Sequence, residues 1–357
     1  MPTIDADAHV VETEHTWDYM EPADAKYRPV IMYPKGQEKG GFWYCDGKLR
    51  RRIQHVVTSK ELEAVSQRLG RNVAVPDGTI GMEDVPARVR HMDQLEVDVQ
   101  VLHASIFIEQ VADREDVEIA ICKGWNRWLA DIWKQGGGRL RWSCILPLKT
   151  MDVALEELRY CHDNGACAVF LRCIEGTRLL QDPYFYPLYE EASNLRMAMV
   201  VHVGNANEQN CELLSQHNSE GGAFWKLRAN MAGACHALIA SEMMKQFPNL
   251  HYSFLESSSQ WVPFVINDLR KRVGHRRKLA DNILKDHRVW VACETSDDLP
   301  FVLKYAGEEN LVIGTDYGHS DQSSEIEAIR NLRALGDIDP AVIDRMIDDN
   351  PRALYSL

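Results

Sequence analysis

Short apolar segments that end in polar side chains recur along this chain, and the segments between them carry apolar residues at helical spacing. Eight such strand-like runs are predicted, at residues 3–7, 99–103, 142–146, 168–172, 197–202, 251–256, 289–294 and 311–316. Helical spacing is found at residues 113–135, 153–164, 231–247 and 337–355. Strand alternating with helix indicates a parallel sheet, and eight repeats predict an α/β fold of the (β/α)8 TIM barrel type.

Two long segments interrupt the alternation. Residues 26–81 follow the first strand and combine several glycines with the aromatic residues 42–44, the basic residues 50–52 and a predicted helix at 60–69. Residues 205–229 follow the fifth strand. Long structured insertions are usually lids, binding loops or oligomer contacts, and loops after barrel strands gather at the catalytic face. Since no linker is visible, we expect one domain over 1–357, with insertion 26–81 as a lid or oligomer contact.

Composition narrows the class of protein. The 357 residues are 45% hydrophobic, which is enough for a large core, and the formal net charge is -13. An acidic chain argues against nucleic acid or an anionic membrane as partner, so a small-molecule substrate is the better expectation. The nine cysteines form no CxxC pair, and there is neither a secretory signal nor a run of about 18 apolar residues. These features predict a cytoplasmic location.

The strand ends carry residues that bind metals. Asp7 and His9 are two positions apart, so they point to the same face of the first strand, and Glu12 follows one short turn later. His202 and Asp316 each end a strongly apolar run, where an unpartnered polar group would be costly to bury. Imidazoles and carboxylates that converge at this face would bind a divalent ion. The alternatives are helix caps for the acidic residues and a hydrogen-bonded core position for His202.

Further candidates follow other strands. Glu256 opens a turn before a helix and is expected to ligate metal, to exchange protons or to cap that helix. His319 lies three residues after an acidic strand end and is a candidate ligand for a second ion, a donor to substrate, or a solvated side chain. Arg172 is a candidate clamp for a substrate carboxylate, or else pairs with a neighbouring loop. His103 and Glu294 also end strands.

Four local motifs carry a resemblance to a known family. They are Asp-x-Asp-x-His-x-x-Glu at the first strand, Val-Val-His at the fifth, Phe-Leu-Glu followed by Trp-Val-Pro at the sixth, and Ile-Gly-Thr-Asp-Tyr-Gly-His at the eighth. Together they resemble the amidohydrolase superfamily, over most of the chain. Within it the chain is similar to the branch that includes aminocarboxymuconate semialdehyde decarboxylase and related aromatic-acid decarboxylases and hydrolases. The resemblance implies a metal-dependent (β/α)8 barrel.

Two departures from the family pattern alter the expected metal site. The family commonly begins with His-x-His, where this chain has Asp7 and His9, and commonly has His at the sixth strand, where Glu256 stands. The resulting ligand set is Asp7, His9, Glu12, His202, Glu256, Asp316 and His319. It is large for one ion and rich in carboxylate for zinc, and it suits two ions of iron or manganese. It resembles the dinuclear oxygenase members of the superfamily, including 2-aminoisobutyric acid hydroxylase.

Three functions are consistent with these residues. The first is a dinuclear Fe or Mn/Fe enzyme that hydroxylates a small carboxylate or amino-acid-like substrate with dioxygen, with Arg172 holding the substrate. Its core ligands would be Asp7, His9, His202 and Asp316, and its second position would be completed by Glu12, Glu256 and His319. The alternative is a mononuclear hydrolase or non-oxidative decarboxylase, with zinc as an alternative metal and with Glu256 or His319 as acid or base. The third is a catalytically silent subunit with a structural ion. We expect a homo-oligomer, or a hetero-oligomer with a paralogue.

Overall fold

Eight parallel strands form the central sheet of this computed structural model, which describes residues 2–36, 40–53, 58–215 and 224–357. Each strand pairs with its neighbour in the sequence. The strands are Ile4–His9, Val99–His103, Leu140–Cys144, Ala166–Leu171, Ala198–His202, Tyr252–Leu255, Val289–Cys293 and Leu311–Ile313. They are almost wholly buried, as expected where helices cover the outer face of a parallel sheet. The predicted (β/α)8 barrel is therefore confirmed.

The first and eighth strands close the ring through a short seam. The amide of Asp316 donates to the carbonyl of Asp7 at 2.9 Å, and the amide of His9 donates to the carbonyl of Tyr317 at 2.8 Å. These bonds lie just beyond the end of the eighth strand. The two ends of the chain consequently meet at the carboxyl edge of the barrel, where candidate ligands from both are found.

Side chains reinforce the seam from below. Both oxygens of the buried Asp5 carboxylate accept hydrogen bonds from Thr315, one from its amide at 2.9 Å and one from its hydroxyl at 2.6 Å. Gln100 donates to the same carboxylate at 2.9 Å. Gly314 permits the close approach of the two segments, because a Cβ at this position would lie 2.2 Å from Cβ of Asp7. A larger residue at Gly314 would force the seam apart.

Helices surround the sheet and bury their apolar faces against it. The longer ones are Val85–Gln94, Glu115–Gln135, Met151–Asp163, Tyr186–Leu195, Ala229–Ser241, Val262–Arg272, Leu299–Ala306 and Ala328–Ala334. Short helices follow at Ile283–Asp286, Pro340–Asp344 and Asn350–Tyr355. The barrel interior is a separate apolar cluster, and Tyr355 from the last helix enters it and donates to the carbonyl of Ala6 at 2.7 Å. None of the helices in the described ranges is long and apolar enough to cross a membrane.

The insertion after the first strand contains a small antiparallel sheet of Val30–Met32, Phe42–Cys45 and Lys48–Arg52, followed by a helix at Ser59–Leu69. The predicted helix is confirmed, and it has a Thr58–Glu61 capping box at its start. Arg51 donates to the carbonyl of Ser105 at 2.7 Å, so the sheet lies at the carboxyl end of the second barrel strand. Its role as a lid or oligomer contact stays a prediction.

The second insertion, 205–229, includes the helix Glu208–Ser215 and a π-helical turn at Phe224–Arg228. Residues 216–223 of this predicted segment lie outside the described residues. Lys48 of the first insertion contacts Glu208 of the second at 3.1 Å. The two insertions are therefore neighbours.

Candidate metal centre

Two buried imidazoles at the ends of the first and fifth strands form the centre of the site. Nε2 of His9 lies 3.1 Å from Nε2 of His202. Nδ1 of His202 donates to the carbonyl of Val203 at 3.3 Å, because a carbonyl can only accept, and Nε2 is the nitrogen that faces His9. Lone pairs on two ring nitrogens this close would repel each other. A proton or a metal ion bound beside the two nitrogens removes that repulsion.

Three carboxylate oxygens surround Nε2 of His9. Oε2 of Glu256 is 3.3 Å away, and Oδ1 of Asp7 and Oδ1 of Asp316 are each 3.5 Å away. Each of these oxygens is buried and accepts no hydrogen bond from the described residues. Ligands that share one ion at about 2.0–2.2 Å lie roughly 3–4 Å from each other. The spacing and the unsatisfied oxygens therefore fit a divalent ion.

The backbone turns sharply where two of these carboxylates leave their strands. Glu256 and Asp316 both have positive φ angles, of 57° and 50°, which non-glycine residues rarely adopt. Such conformations cost on the order of 1–3 kcal/mol and are found mainly where a site requires them. Each one aims its side chain into the mouth of the barrel. Ser324 fixes the second carboxylate by donating to Oδ2 of Asp316 at 2.7 Å.

His319 is held in one orientation by Ser105. The Ser105 hydroxyl donates its proton to the carbonyl of Val10 at 2.7 Å, so it must accept from Nε2 of His319 at 2.8 Å. Nδ1 of His319 then faces Oδ1 of Asp316 at 2.7 Å, and its ring stacks on His9 with centroids 4.0 Å apart. His319 is thus placed to ligate an ion or to transfer a proton.

The electrostatics of the cluster favour bound positive charge. Burial lowers the pKa of His202, but the nearby carboxylates of Glu256 and Asp7 outweigh it and raise the pKa of His202 to about 9. Burial raises the pKa of Asp7, but the nearby imidazoles of His202 and His9 hold it below its usual value. A divalent ion would satisfy the same carboxylates and compete with these protons.

Six of the seven predicted ligands come together in two overlapping groups. The first group is Asp7, His9 and His202, and the second is His9, Glu256, Asp316 and His319. Within each group the ligand atoms all lie within 4.8 Å of one another. His9 belongs to both groups. The cluster therefore offers ligands for one ion, or for two ions that would both contact His9.

Glu12 is not brought to this cluster. Its oxygens accept hydrogen bonds from the amides of Ser105 at 3.2 Å and Ile106 at 2.9 Å, and from the indole of Trp125 at 2.9 Å. These hydrogen bonds hold the Glu12 carboxylate against the loop that follows the second strand. The structure therefore places the Glu12 oxygens against N–H groups and outside both ligand groups, and its part in a second metal position stays a prediction.

Arg172 is also occupied. Its guanidinium forms a buried ion pair with Glu175 and donates to the carbonyl of Phe107 at 3.0 Å. This is the alternative of pairing with a neighbouring loop, and it leaves Arg172 as a wall of a separate cavity. Its part as a clamp for a substrate carboxylate stays a prediction.

His103 and Glu294 lie beside the cluster and outside both ligand groups. Ser143 and the carbonyl of Ala6 contact the two ring nitrogens of His103 at 2.8 and 3.3 Å, and burial lowers the pKa of His103 to about 3. His103 is therefore neutral. Glu294 lines a small cavity next to Glu256, and burial raises the pKa of its carboxyl.

Three further residues near the cluster were not predicted. Ser105 orients His319, Ser324 orients Asp316, and Arg51 of the insertion donates to the Ser105 carbonyl. The charges of Glu109, Glu256 and Glu12 act on the Arg51 guanidinium, whose pKa burial lowers. The basic run at residues 50–52 of the insertion was the available signal for Arg51. No sequence signal marks the two serines.

The whole chain matches one family model. Residues 4–357 match the model described as Amidohydrolase. The chain belongs to the amidohydrolase family. The predicted family is confirmed, and the cluster described above supports divalent metal binding by this amidohydrolase. The number and identity of the ions stay predictions.

Curated relatives of this amidohydrolase include two decarboxylases. One is the 2-amino-3-carboxymuconate-6-semialdehyde decarboxylase of Dictyostelium discoideum, with 21% identity over 66% of this chain and 66% of the relative. The other is the gamma-resorcylate decarboxylase of Rhodococcus jostii, with 24% identity over 57% of this chain and 62% of the relative. The chain thus spans slightly less than two thirds of the length of the relatives it matches.

Solved structures share the fold over the whole chain. An amidohydrolase from Mycobacterium avium subsp. paratuberculosis has a TM-score of 0.75 at 15% identity and covers 99% of both chains. A dihydroxybenzoic acid decarboxylase from Polaromonas sp., solved with bound manganese and an inhibitor, has a TM-score of 0.68 at 16% identity and covers 100% of this chain and 97% of its own. At this identity the likeness is one of fold.

Proposed function

We propose that this protein is a mononuclear, metal-dependent decarboxylase that removes carbon dioxide from a small carboxylic acid without dioxygen. One observation carries the proposal. Three carboxylate oxygens without hydrogen bonds from the described residues and a second imidazole all lie within 3.5 Å of one atom, Nε2 of His9. The decarboxylase names of the two curated relatives support the same reaction class.

The protein's own residues would hold the ion and the substrate. His9, His202, Asp7 and Asp316 would be the ligands. When bound, the ion supplies Lewis-acid polarisation of a substrate oxygen. Arg51 is the candidate clamp for the substrate carboxylate, because it is a half-buried cation at the mouth of the barrel, directed there by its bond to the Ser105 carbonyl.

Proton transfer falls to His319 and Glu256. Decarboxylation breaks the bond between the carboxylate carbon and its neighbour, carbon dioxide leaves, and the neighbouring carbon keeps the electron pair and needs a proton. Nε2 of His319 donates to Ser105 and Nδ1 faces the cluster, so the doubly protonated ring would deliver its Nδ1 proton without rotating and would be left as the neutral imidazole. Glu256 is the second candidate, since Oε2 has no other partner.

The test is anaerobic turnover. Protein loaded with one equivalent of manganese or zinc should release carbon dioxide from members of a panel of small aromatic and unsaturated carboxylic acids. His319→Gln should keep its metal and lose turnover by about 10²–10⁴-fold. Ser323→Ala is the matched control, because this side chain lies near Asp316 but bonds only within its own turn, and it should retain activity. Hydrolysis of esters or amides without carbon dioxide release would instead indicate a hydrolase.

A second candidate is the dinuclear Fe or Mn/Fe oxygenase. The observation in its favour is that His9 belongs to two ligand groups, one of which includes His319. This function requires about two equivalents of iron or manganese and oxygen uptake that matches product formation. Loss of half of that metal in His319→Ala would support it, whereas full anaerobic turnover with one equivalent would exclude it.

A further inference from the structure

A cavity of about 450 Å³ lies apart from the metal centre. It is enclosed by the loops that follow the second, third and fourth strands and by the helix Glu115–Gln135. Its volume falls within the range of small-molecule sites, roughly 300–1,000 Å³. Neither metal ligand group contributes a residue to its walls. The cavity is thus a second concave site.

The walls are mainly apolar. Ile121, Ile145, Leu148 and Phe185 are buried and face the cavity, and Tyr184 lies beside them with its hydroxyl donated to the carbonyl of Leu148 at 2.8 Å. Large aliphatic and aromatic surfaces of this kind favour a flat apolar ligand. A ligand of aromatic size would remove these surfaces from water.

The charged side chains in the walls are paired with each other or with neighbours. Arg172 pairs with Glu175, and Nζ of Lys149 lies 2.7 Å from Oε1 of Glu118. Arg178 pairs with Asp182, which lies outside the cavity, and its guanidinium carbon lies 4.2 Å from the centre of the Tyr184 ring. Glu115 lies exposed at the rim, where water screens its charge. These pairs leave no free charge in the buried walls that the structure describes, so a charged ligand would lose its hydration without gaining an unpaired counter-ion.

The wall carboxylates still have spare acceptor capacity. A carboxylate offers about four lone-pair sites, and among the described residues Glu118 accepts from just two donors, the amide and Nζ of Lys149. A neutral ligand that carries an N–H or O–H group can use these sites without disturbing either ion pair. Apolar walls, paired charges and spare acceptors together point to one class of ligand.

We propose that this cavity binds a neutral aromatic molecule with a hydrogen-bond donor, such as an aryl amide, at a site distinct from the metal centre. Indole-3-acetamide is a suitable probe, with the anion indole-3-acetate and the cation tryptamine as probes of matched size. Calorimetric titration should give saturable binding of one equivalent of the amide, with a dissociation constant on the order of 1 mM or lower for a ligand of this size. The two charged analogues should bind at least tenfold more weakly.

Two variants locate the site. Leu148→Trp fills the cavity from a buried wall, and Thr177→Trp blocks it from an exposed rim position where folding is not at risk. Both should abolish binding of the amide. Leu179→Trp is the matched control, because this side chain is 50% exposed and outside the cavity. Binding should be unchanged in this control and in His202→Ala.

Several results would overturn the proposal. Absence of saturable binding of the amide would do so, as would equal binding by the charged analogues. Unchanged binding in Thr177→Trp would place the ligand elsewhere. Loss of binding in His202→Ala would assign the amide to the metal centre. None of these outcomes depends on which reaction the metal centre catalyses.

Discussion

Substitution of Glu12 distinguishes most clearly between a carboxylate that ligates metal and one that only holds the fold together. Its two oxygens accept three hydrogen bonds, from the amides of Ser105 and Ile106 and from the indole of Trp125. In Glu12→Gln the side-chain oxygen can keep the Ser105 and Trp125 bonds at Oε1. The new amide nitrogen then faces the Ile106 N–H group, so a donor meets a donor.

The expected loss of unfolding free energy follows from that one lost hydrogen bond. A hydrogen bond to a charged group contributes about 1.5–3 kcal/mol, and an orphaned buried N–H costs about 1–3 kcal/mol, with overlap between the two. We therefore expect the free energy of unfolding of Glu12→Gln to fall by roughly 2–4 kcal/mol. Since Glu12 ligates no ion in this arrangement, the metal content of the folded variant should match that of the wild type.

Urea denaturation and elemental analysis measure the two quantities on the same preparation. Glu63→Gln, on an exposed helix face, is the control and should change stability by less than about 0.5 kcal/mol. The reasoning fails if Glu12→Gln loses metal at unchanged stability. That result would return Glu12 to the ligand set and favour a second ion.

Three further predictions concern the cluster and the seam. His202→Ala and Asp316→Ala should each lower metal content at least tenfold with an unchanged circular dichroism spectrum, and retention of the metal would remove that residue from the site. Gly314→Ala places a Cβ 2.2 Å from Cβ of Asp7 and should cost about 3 kcal/mol of unfolding free energy, so wild-type stability would contradict the close approach. The pKa of His103 is about 3 in the folded protein and 6.5 in the unfolded chain. The stability that its neutral form contributes is therefore complete above pH 6.5 and is lost as the pH falls toward 3, at up to about 1.4 kcal/mol per pH unit. The free energy of unfolding of His103→Asn should lack this pH dependence, and parallel profiles for variant and wild type would disprove the assignment of the slope to His103.

The barrel could be predicted because its signals are local. Each buried parallel strand is a short apolar run, and a polar residue such as His202 at its end is visible without knowledge of any partner. Boundaries were less accurate, as the third strand occupies Leu140–Cys144, two residues before its predicted position. The last helical segment is broken by a π-helical turn at Arg345–Asp349, which its continuous apolar spacing does not indicate.

Two candidate residues, Glu12 and Arg172, are held by partners that the sequence pattern does not reveal. Glu12 is satisfied by Ser105, Ile106 and Trp125, which are about a hundred positions away, and nothing near Glu12 announces them. Arg172 and Glu175 meet only because the chain turns directly after the fourth strand. Sequence pattern locates side chains on the catalytic face, but it does not decide which of them have spare bonding capacity.

In the proposed metal site, the seam between the first and eighth strands would link metal loading to completion of the fold. Asp7 and Asp316 are more than 300 positions apart, and closing so long a loop costs about 5 kcal/mol of chain entropy. An ion bound by both Asp7 and Asp316 would hold the first and eighth strands together, so its binding free energy would oppose the opening of the barrel. The same linkage predicts that withdrawal of the ion weakens the seam. Hydrogen exchange at the amides of His9 and Asp316 should then speed up more than exchange elsewhere in the sheet.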